Sequence, residues 1–264
     1  MTETESDSPV EKKEMKLAVA PNPRVKFSIV HEDADLLVIE KPAGLVVQPG
    51  KGHTTDSLLN GLFHTHGKFL HNLGVRRDFG LLHRLDKDTS GLVLVALRPN
   101  SYDQLRRDFE ERRIEKAYLT IVAGVPKPPQ GVVQARLKEV TAGIKKVIIS
   151  RQGQEAISAY QVLASSPTGS ASLVRVLIKT GRLHQIRAHM MFLNTPVLGD
   201  DIYAPAATTK SLLRPHRLAL HAAHIGFKHP TTSKWMKFDS PLPVDLARFA
   251  ERLGISEDAV NRKS

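Results

Sequence analysis

The chain has no cysteine, so disulfides, thiol catalysis and cysteine-ligated zinc are excluded together. It is poor in aromatic residues, at 5%, fewer than a carbohydrate-binding cleft usually shows. No apolar run approaches the ~20 residues of a membrane span. The N-terminus is acidic and then mixed in charge, with no apolar stretch of the secretory kind. These absences predict a soluble, cytoplasmic protein. Acidic residues are also outnumbered: 27 Asp and Glu face 38 Lys and Arg, for a formal charge of +11. Such an excess predicts a polyanionic partner. No basic amphipathic anchor helix is visible, so nucleic acid fits better than an anionic membrane.

Residues 1–24 are polar and charged and end near Pro21-Asn22-Pro23, which predicts a disordered tail. Residues 25–254 read as one domain, and 255–264 as a second tail. Within the domain, short apolar strands outnumber helices and most connections are short. Helices are expected over Ser101 to Arg113, over Arg182 to Asn194, after Pro241 and Pro243, and briefly after Thr54 or Thr55. Leu45-Val46-Val47 reads as a strand returning from the Lys41-Pro42-Ala43-Gly44 turn, and Gly67 to Asp78 as a loop. The pattern predicts an α+β domain with a largely antiparallel sheet.

The most informative stretch is Leu81-Leu82-His83-Arg84-Leu85-Asp86-Lys87-Asp88-Thr89-Ser90-Gly91, followed by the apolar strand Leu92 to Leu97. A polar knot walled by leucines needs partners or a task, and Asp86 is the candidate for chemistry. A calcium loop starting at Asp86 fails because Leu97 stands where a bidentate Glu is required. A phosphatase-type Asp-x-Asp fails because the strand follows the carboxylates instead of preceding them. The pairs His64/His66, His184/His189 and His221/His224 lack a matching carboxylate set, so no metal is expected.

The second informative stretch is Lys179-Thr180-Gly181-Arg182-Leu183-His184-Gln185-Ile186-Arg187. Cations at a helix N-terminus oppose the macrodipole, which suggests an anion nearby. Arg187 borders the apolar stripe, and a semi-buried guanidinium needs a carboxylate. That partner is either a structural Glu or Asp86, whose charge Arg187 would then maintain.

Taken together, His83-Arg84-Leu85-Asp86-Lys87-Asp88-Thr89-Ser90-Gly91-Leu92 resembles the signature of the RluA-type pseudouridine synthases. Further segments resemble the family in the family's own order. They are Glu40 to Val47, Glu115-Lys116-Ala117-Tyr118-Leu119, Thr180 to Arg187, Pro196-Val197-Leu198-Gly199-Asp200, Leu220-His221-Ala222 and Ser240 to Pro243. The resemblance spans residues 27 to 250. It implies a pseudouridine synthase fold, with a mixed, mainly antiparallel sheet, flanking helices and a central basic cleft. It also implies isomerisation of uridine to pseudouridine in ribosomal or transfer RNA, without metal or cofactor. A monomer is expected. By resemblance Asp86 is the catalytic aspartate, Tyr118 packs on the base, Arg187 partners the aspartate and Leu220 floors the site. Arg84 stands where the family places a residue that helps extrude the target nucleotide. Lys41, Arg76, Arg77, Arg182 and Arg217 are candidate phosphate contacts, and His83 a further substrate-side candidate. Gln48, Leu97, Gln154 and Ser158 depart from the family's usual residues at positions that bear on RNA contacts. About 24 residues precede the first strand, too few for the small RNA-binding domain of many relatives, so the catalytic domain itself is expected to hold the RNA. The rival reading is a catalytically idle RNA-binding or ribosome-assembly protein on the same scaffold.

Overall fold

The apolar run after the Asp86 knot becomes strand β3 (Ser90–Ala96), and all seven of its residues are buried. A computed structural model describes residues 19–204 and 214–256. In chain order the other strands are β1 (Ser28–Glu32), β2 (Leu36–Lys41), β4 (Glu115–Ala123), β5 (Gln130–Ala142) and β6 (Ile144–Ile149). They continue with β7 (Gln154–Ser165), β8 (Ala171–Ile178), β9 (Leu220–Lys228) and β10 (Trp235–Asp239). Together they form one ten-stranded sheet in the order β1-β2-β3-β9-β4-β8-β7-β5-β6, with β10 on β9. Every pairing is antiparallel except β3 with β9, where Ser90 meets His221 and Gly91 meets Ala222. Helices α1 (Leu58–Leu73), α2 (Pro99–Glu110), α3 (Gln185–Phe192) and α4 (Val244–Arg252) flank it. The α+β expectation and the mainly antiparallel sheet hold.

The one parallel join is the point on which the Asp86 knot turns into the sheet. Gly91 has φ +115°, and a Cβ there would collide with the Ala222 backbone. A side chain at this position meets both a disfavoured conformation and a backbone it cannot displace. Gly91→Ala should therefore cost about 2–3 kcal/mol of stability. A urea midpoint equal to that of the unmodified chain would contradict this.

Several local expectations need correction. Leu45 to Val47 is not a strand; the Val46 and Val47 carbonyls instead accept the first N–H groups of α1, from Leu58 and Leu59. The cap of α1 is Ser57, in a reciprocal capping box with Asn60, and not Thr54 or Thr55. The helix runs on to Leu73 because Leu70 and Leu73 bury beyond the polar His64 to Gly67 stretch, and a 3₁₀ turn (Val75–Gly80) follows. The expected loop is thus half helical. The tail boundaries also move. Val19 is buried in the core and the Ala20 carbonyl accepts from Asn60 Nδ2, while Ile255 is buried at the other end. Residues 1–18 and 257–264 lie outside the described residues. No helix among the described residues is long and apolar enough to cross a membrane.

Candidate active site

The loop from Leu82 to Thr89 is fixed from beneath by a buried lysine. Lys41 is fully buried at the end of β2, and its Nζ donates to the carbonyls of Pro42 (2.8 Å), Leu45 (2.8 Å) and Lys87 (3.1 Å). The Gly44 N–H donates to the same Lys87 carbonyl at 2.9 Å. Burial lowers the Lys41 ammonium to about 8, against the pull of Asp88 and Asp86. Lys41 therefore ties the turn after β2 to the Asp86 loop and cannot reach a phosphate, which corrects its expected role. His83 fixes the other side. Its Nε2 accepts the Leu94 N–H at 3.0 Å, its ring lies against Phe109, and burial pushes it down to about 3. That nitrogen is committed to the sheet. Asp86 itself is left partly open, its side chain 24% exposed.

The opposing wall is the loop into α3, organised by Gln185. Its amide donates to the Ile157 carbonyl and Ser158 Oγ, while its oxygen accepts from Thr180 Oγ1 and the Arg182 N–H. This buried clamp starts the helix three residues later than Arg182 and sets the phase of Arg187. Arg187 points its fork inward. Nε and Nη2 donate to the two oxygens of Asp200 at 2.7 and 2.8 Å, and Nη1 donates to Asp86 Oδ2 at 3.1 Å. Asp86 is thus a partner as expected, and a structural acid is present beside it, but that acid is Asp200 and not a Glu. Burial alone would raise the Asp200 carboxyl. The Arg187 hydrogen bonds and charge, with the N–H groups of Ile202 and Tyr203, outweigh it and hold the group below its ordinary value. Burial likewise opposes the guanidinium charge, and Asp200 and Asp86 outweigh that burial. The result is a satisfied buried triad with one carboxylate edge facing outward.

That edge floors a recess of about 70 Å³ lined by Tyr118, Ile178, His184, Arg187 and Leu220. Tyr118 comes from the middle of β4 and Leu220 from the first residue of β9; both are buried. Burial, then the nearby Asp86 charge, raises the Tyr118 phenol, so it stays protonated. The recess shares Arg84, Tyr118 and Arg182 with an outer groove of about 510 Å³. The cations Arg84, Arg106, Arg112, Lys116, Lys179 and Arg182 line this groove against only two carboxylates, Asp78 and Glu110. Arg84 and Arg182 are exposed there, with Arg182 Nε donating to the Glu155 carbonyl. The sequence thus brings together Asp86, Tyr118, Arg187, Leu220, Arg84, Arg182 and, on the groove wall, His83.

Three other cations do not join them. Arg76 is exposed on the 3₁₀ turn and lines neither space. Arg77 is held by both oxygens of Asp103, and Arg217 by both oxygens of Asp245. Their forks are spent on internal partners, which corrects the phosphate roles expected of them. Two residues of the site were not singled out for it from the sequence, Asp200 and His184. The signal for Asp200 was available: a buried guanidinium has five N–H donors, more than one carboxylate can accept. At the far ends of β2 and β3, Asp33, Asp35 and His229 approach in a metal-like group. However, His229 Nδ1 accepts from the Thr231 and Thr232 N–H groups, so its Nε2 carries the proton and donates to Asp33. That imidazole has no free lone pair for a metal.

Two histidines behind the site make it acid-sensitive. His221 lies between Ser90 Oγ and Ser240 Oγ, and His189 against Ser158 Oγ; both are fully buried and pushed down to about 4, chiefly by burial. Below pH 6.5 the unfolded chain binds protons that these folded imidazoles refuse, so stability falls with pH until about 4. The pair should remove roughly 3 kcal/mol between pH 6.5 and 5. Urea titrations across this range check it. His221→Gln should flatten the slope, and a slope unchanged by that substitution would contradict the assignment.

Residues 35–191 match the family described as RNA pseudouridylate synthase. "Ribosomal large subunit pseudouridine synthase D" of Zymomonas mobilis is 38% identical over 88% of this chain and 74% of its own length. An "uncharacterized RNA pseudouridine synthase" of Aquifex aeolicus is 37% identical over 83% of this chain and 70% of its own. Among solved structures, "Human RNA Pseudouridylate Synthase Domain Containing 4" superposes with a TM-score of 0.67 at 28% identity, covering 87% of this chain and 94% of that one. With the Asp86 motif and the sheet that carries it, these likenesses make the chain a member of the RNA pseudouridine synthase family, of the RluA type: an enzyme that isomerises uridine in RNA.

Proposed function

We propose that the chain forms pseudouridine in large-subunit ribosomal RNA, with Asp86 as the reacting carboxylate. The observation that carries this reading is the Asp86–Arg187–Asp200 triad at the floor of a recess that opens onto a cation-lined groove. The name of the Zymomonas mobilis relative favours that RNA. In this reading the groove is the basic cleft that tracks the RNA backbone through Arg84, Lys179 and Arg182. The target uridine leaves its stack and enters the recess, at a cost of a few kcal/mol in paired RNA. Stacking on Tyr118 above Leu220 returns about 1–3 kcal/mol. Arg84, exposed at the mouth, fills the position the base vacates.

Atoms balance within the nucleotide. The N1–C1′ bond breaks, the base turns, a C5–C1′ bond forms, C5 gives its proton to water and N1 gains one. Asp86 either attacks the base or sugar or removes the C2′ proton. Nothing in that balance calls for a metal or a redox cofactor, and the enzyme works as a cytoplasmic monomer. Pseudouridine mapping across total RNA from cells with and without this gene tests the proposal. At least one large-subunit uridine should lose its modification without the gene. A loss confined to transfer RNA would reject the substrate, and no loss in any RNA would reject the activity.

A further inference from the structure

His184 faces Asp86 across the recess, and nothing above gives it a task. It precedes α3 with φ +50°, a left-handed conformation uncommon outside glycine. Its side chain is only 11% exposed and lines the recess. Nε2 stands 3.7 Å from Asp86 Oδ2, too far for a hydrogen bond. Nδ1 lies 3.1 Å from Tyr203 Oη, and the Val147 N–H donates to that same oxygen at 2.8 Å. Having accepted the Val147 N–H, the Tyr203 hydroxyl can give its own proton to Nδ1. The ring proton is then on Nε2. The opposite tautomer would place two donors on one phenol oxygen and leave the phenol proton without this acceptor. It would also aim a bare lone pair at the Asp86 carboxylate. Burial keeps the imidazole below its ordinary value and so neutral, with Asp86 pulling the other way and Arg187 reinforcing the burial. Among the described residues, His184 therefore presents a fixed N–H beside the reacting carboxylate with no acceptor within hydrogen-bonding distance.

We propose that His184 Nε2–H is the donor that receives a carbonyl oxygen of the target uracil. This rests on the isomerase reading of the recess. When N1–C1′ breaks, the electron pair remains on the base and its negative charge spreads onto the carbonyl oxygens. A donor held in place by Tyr203 and Val147 stabilises that charge more than it stabilises the neutral base, so it acts on the rate. The proton stays on Nε2 throughout. Tyr203 is the positioning residue, because its hydroxyl fixes the tautomer.

The test uses RNA labelled with 5-tritiated uridine from cells lacking the gene, since isomerisation releases the C5 hydrogen to water. In single turnover, His184→Phe should slow tritium release by about 10²–10³-fold. Its RNA affinity should stay within about threefold and its melting temperature near that of the parent. His184→Gln, which keeps an N–H donor, should recover at least about tenfold of the lost rate. A Phe variant within about threefold of the parent rate, or Gln and Phe variants equally slow, would overturn the proposal. Should the Phe variant fail to fold, ¹⁵N resonances of His184 in the unmodified chain decide. A neutral Nε2–H ring supports the proposal and an Nδ1–H ring rejects it. If the unmodified protein releases no tritium from any RNA, the isomerase reading fails, and the NMR result still judges the geometry of His184 separately.

Discussion

Asp86→Asn is expected to lower pseudouridine formation by at least about 10⁴-fold while RNA affinity stays within about threefold. The substitution keeps the volume of the side chain and removes its charge. An amide can neither attack nor take a proton at neutral pH, so no weaker version of the same step remains. The fold should tolerate the change. Asp86 is partly exposed, and Arg187 keeps both of its bonds to Asp200 when the contact to Asp86 weakens. The groove cations that would meet the RNA are untouched. Nucleoside analysis of treated RNA and a binding titration at fixed salt measure the two halves. Equal loss of both would mean that the variant has lost its shape. Full activity with asparagine would remove Asp86 from the chemistry. An idle RNA-binding protein would show no product with either residue.

Arg187→Met is expected to cost about 3–5 kcal/mol of stability, because it leaves Asp200 buried without its counter-charge. Asp200 is 1% exposed and accepts from the Ile202 and Tyr203 N–H groups as well as from Arg187. Adding Asp200→Asn removes the stranded charge while an amide oxygen can still accept those backbone donors. The double variant should therefore recover most of the lost stability. Activity should not return with it, since Asp86 has lost the guanidinium that faces it. Denaturant titrations of the two single variants and the double variant, with activity measured alongside, separate the two roles of Arg187. A single variant within about 1 kcal/mol of the parent would show that the triad carries little of the fold. Recovery of both stability and activity would show that Arg187 serves Asp200 alone.

Much of this arrangement was legible in the sequence where local pattern carries the information. The apolar run after Asp86 could only be an interior strand, and β3 is buried at every residue. Arg187, on the edge of an apolar stripe, announced a buried charge that needed an acid. What could not be read was where the acids and cations would meet. Lys41, Arg77 and Arg217 looked like surface cations, yet Lys41 ends on three carbonyls, one of them 46 residues away, and the two arginines end on carboxylates 26 and 28 residues away. Spacing says nothing about such long-range partners. Asp200 stayed hidden for the same reason, since it reaches Arg187 through a turn after α3 rather than through helical phase. The longer α1 was masked by the polar His64 to Gly67 stretch, although Leu70 and Leu73 carry its buried face beyond. Leu45 to Val47 has the composition of a strand, but the residues opposite β2 were already β1 and β3. Composition selects an element only where the sheet has a place for it.

The most direct measurement is the structure of the Asp86→Asn protein bound to an unmodified RNA that the parent enzyme modifies. We expect one uridine turned out of its stack, its base on the Tyr118 ring above Leu220, and its C1′ or ring carbons about 3–4 Å from the residue 86 side chain. RNA bound across the groove with every base still stacked and the recess empty, or bound on another face, would contradict Asp86 as the place where the glycosidic bond is exchanged.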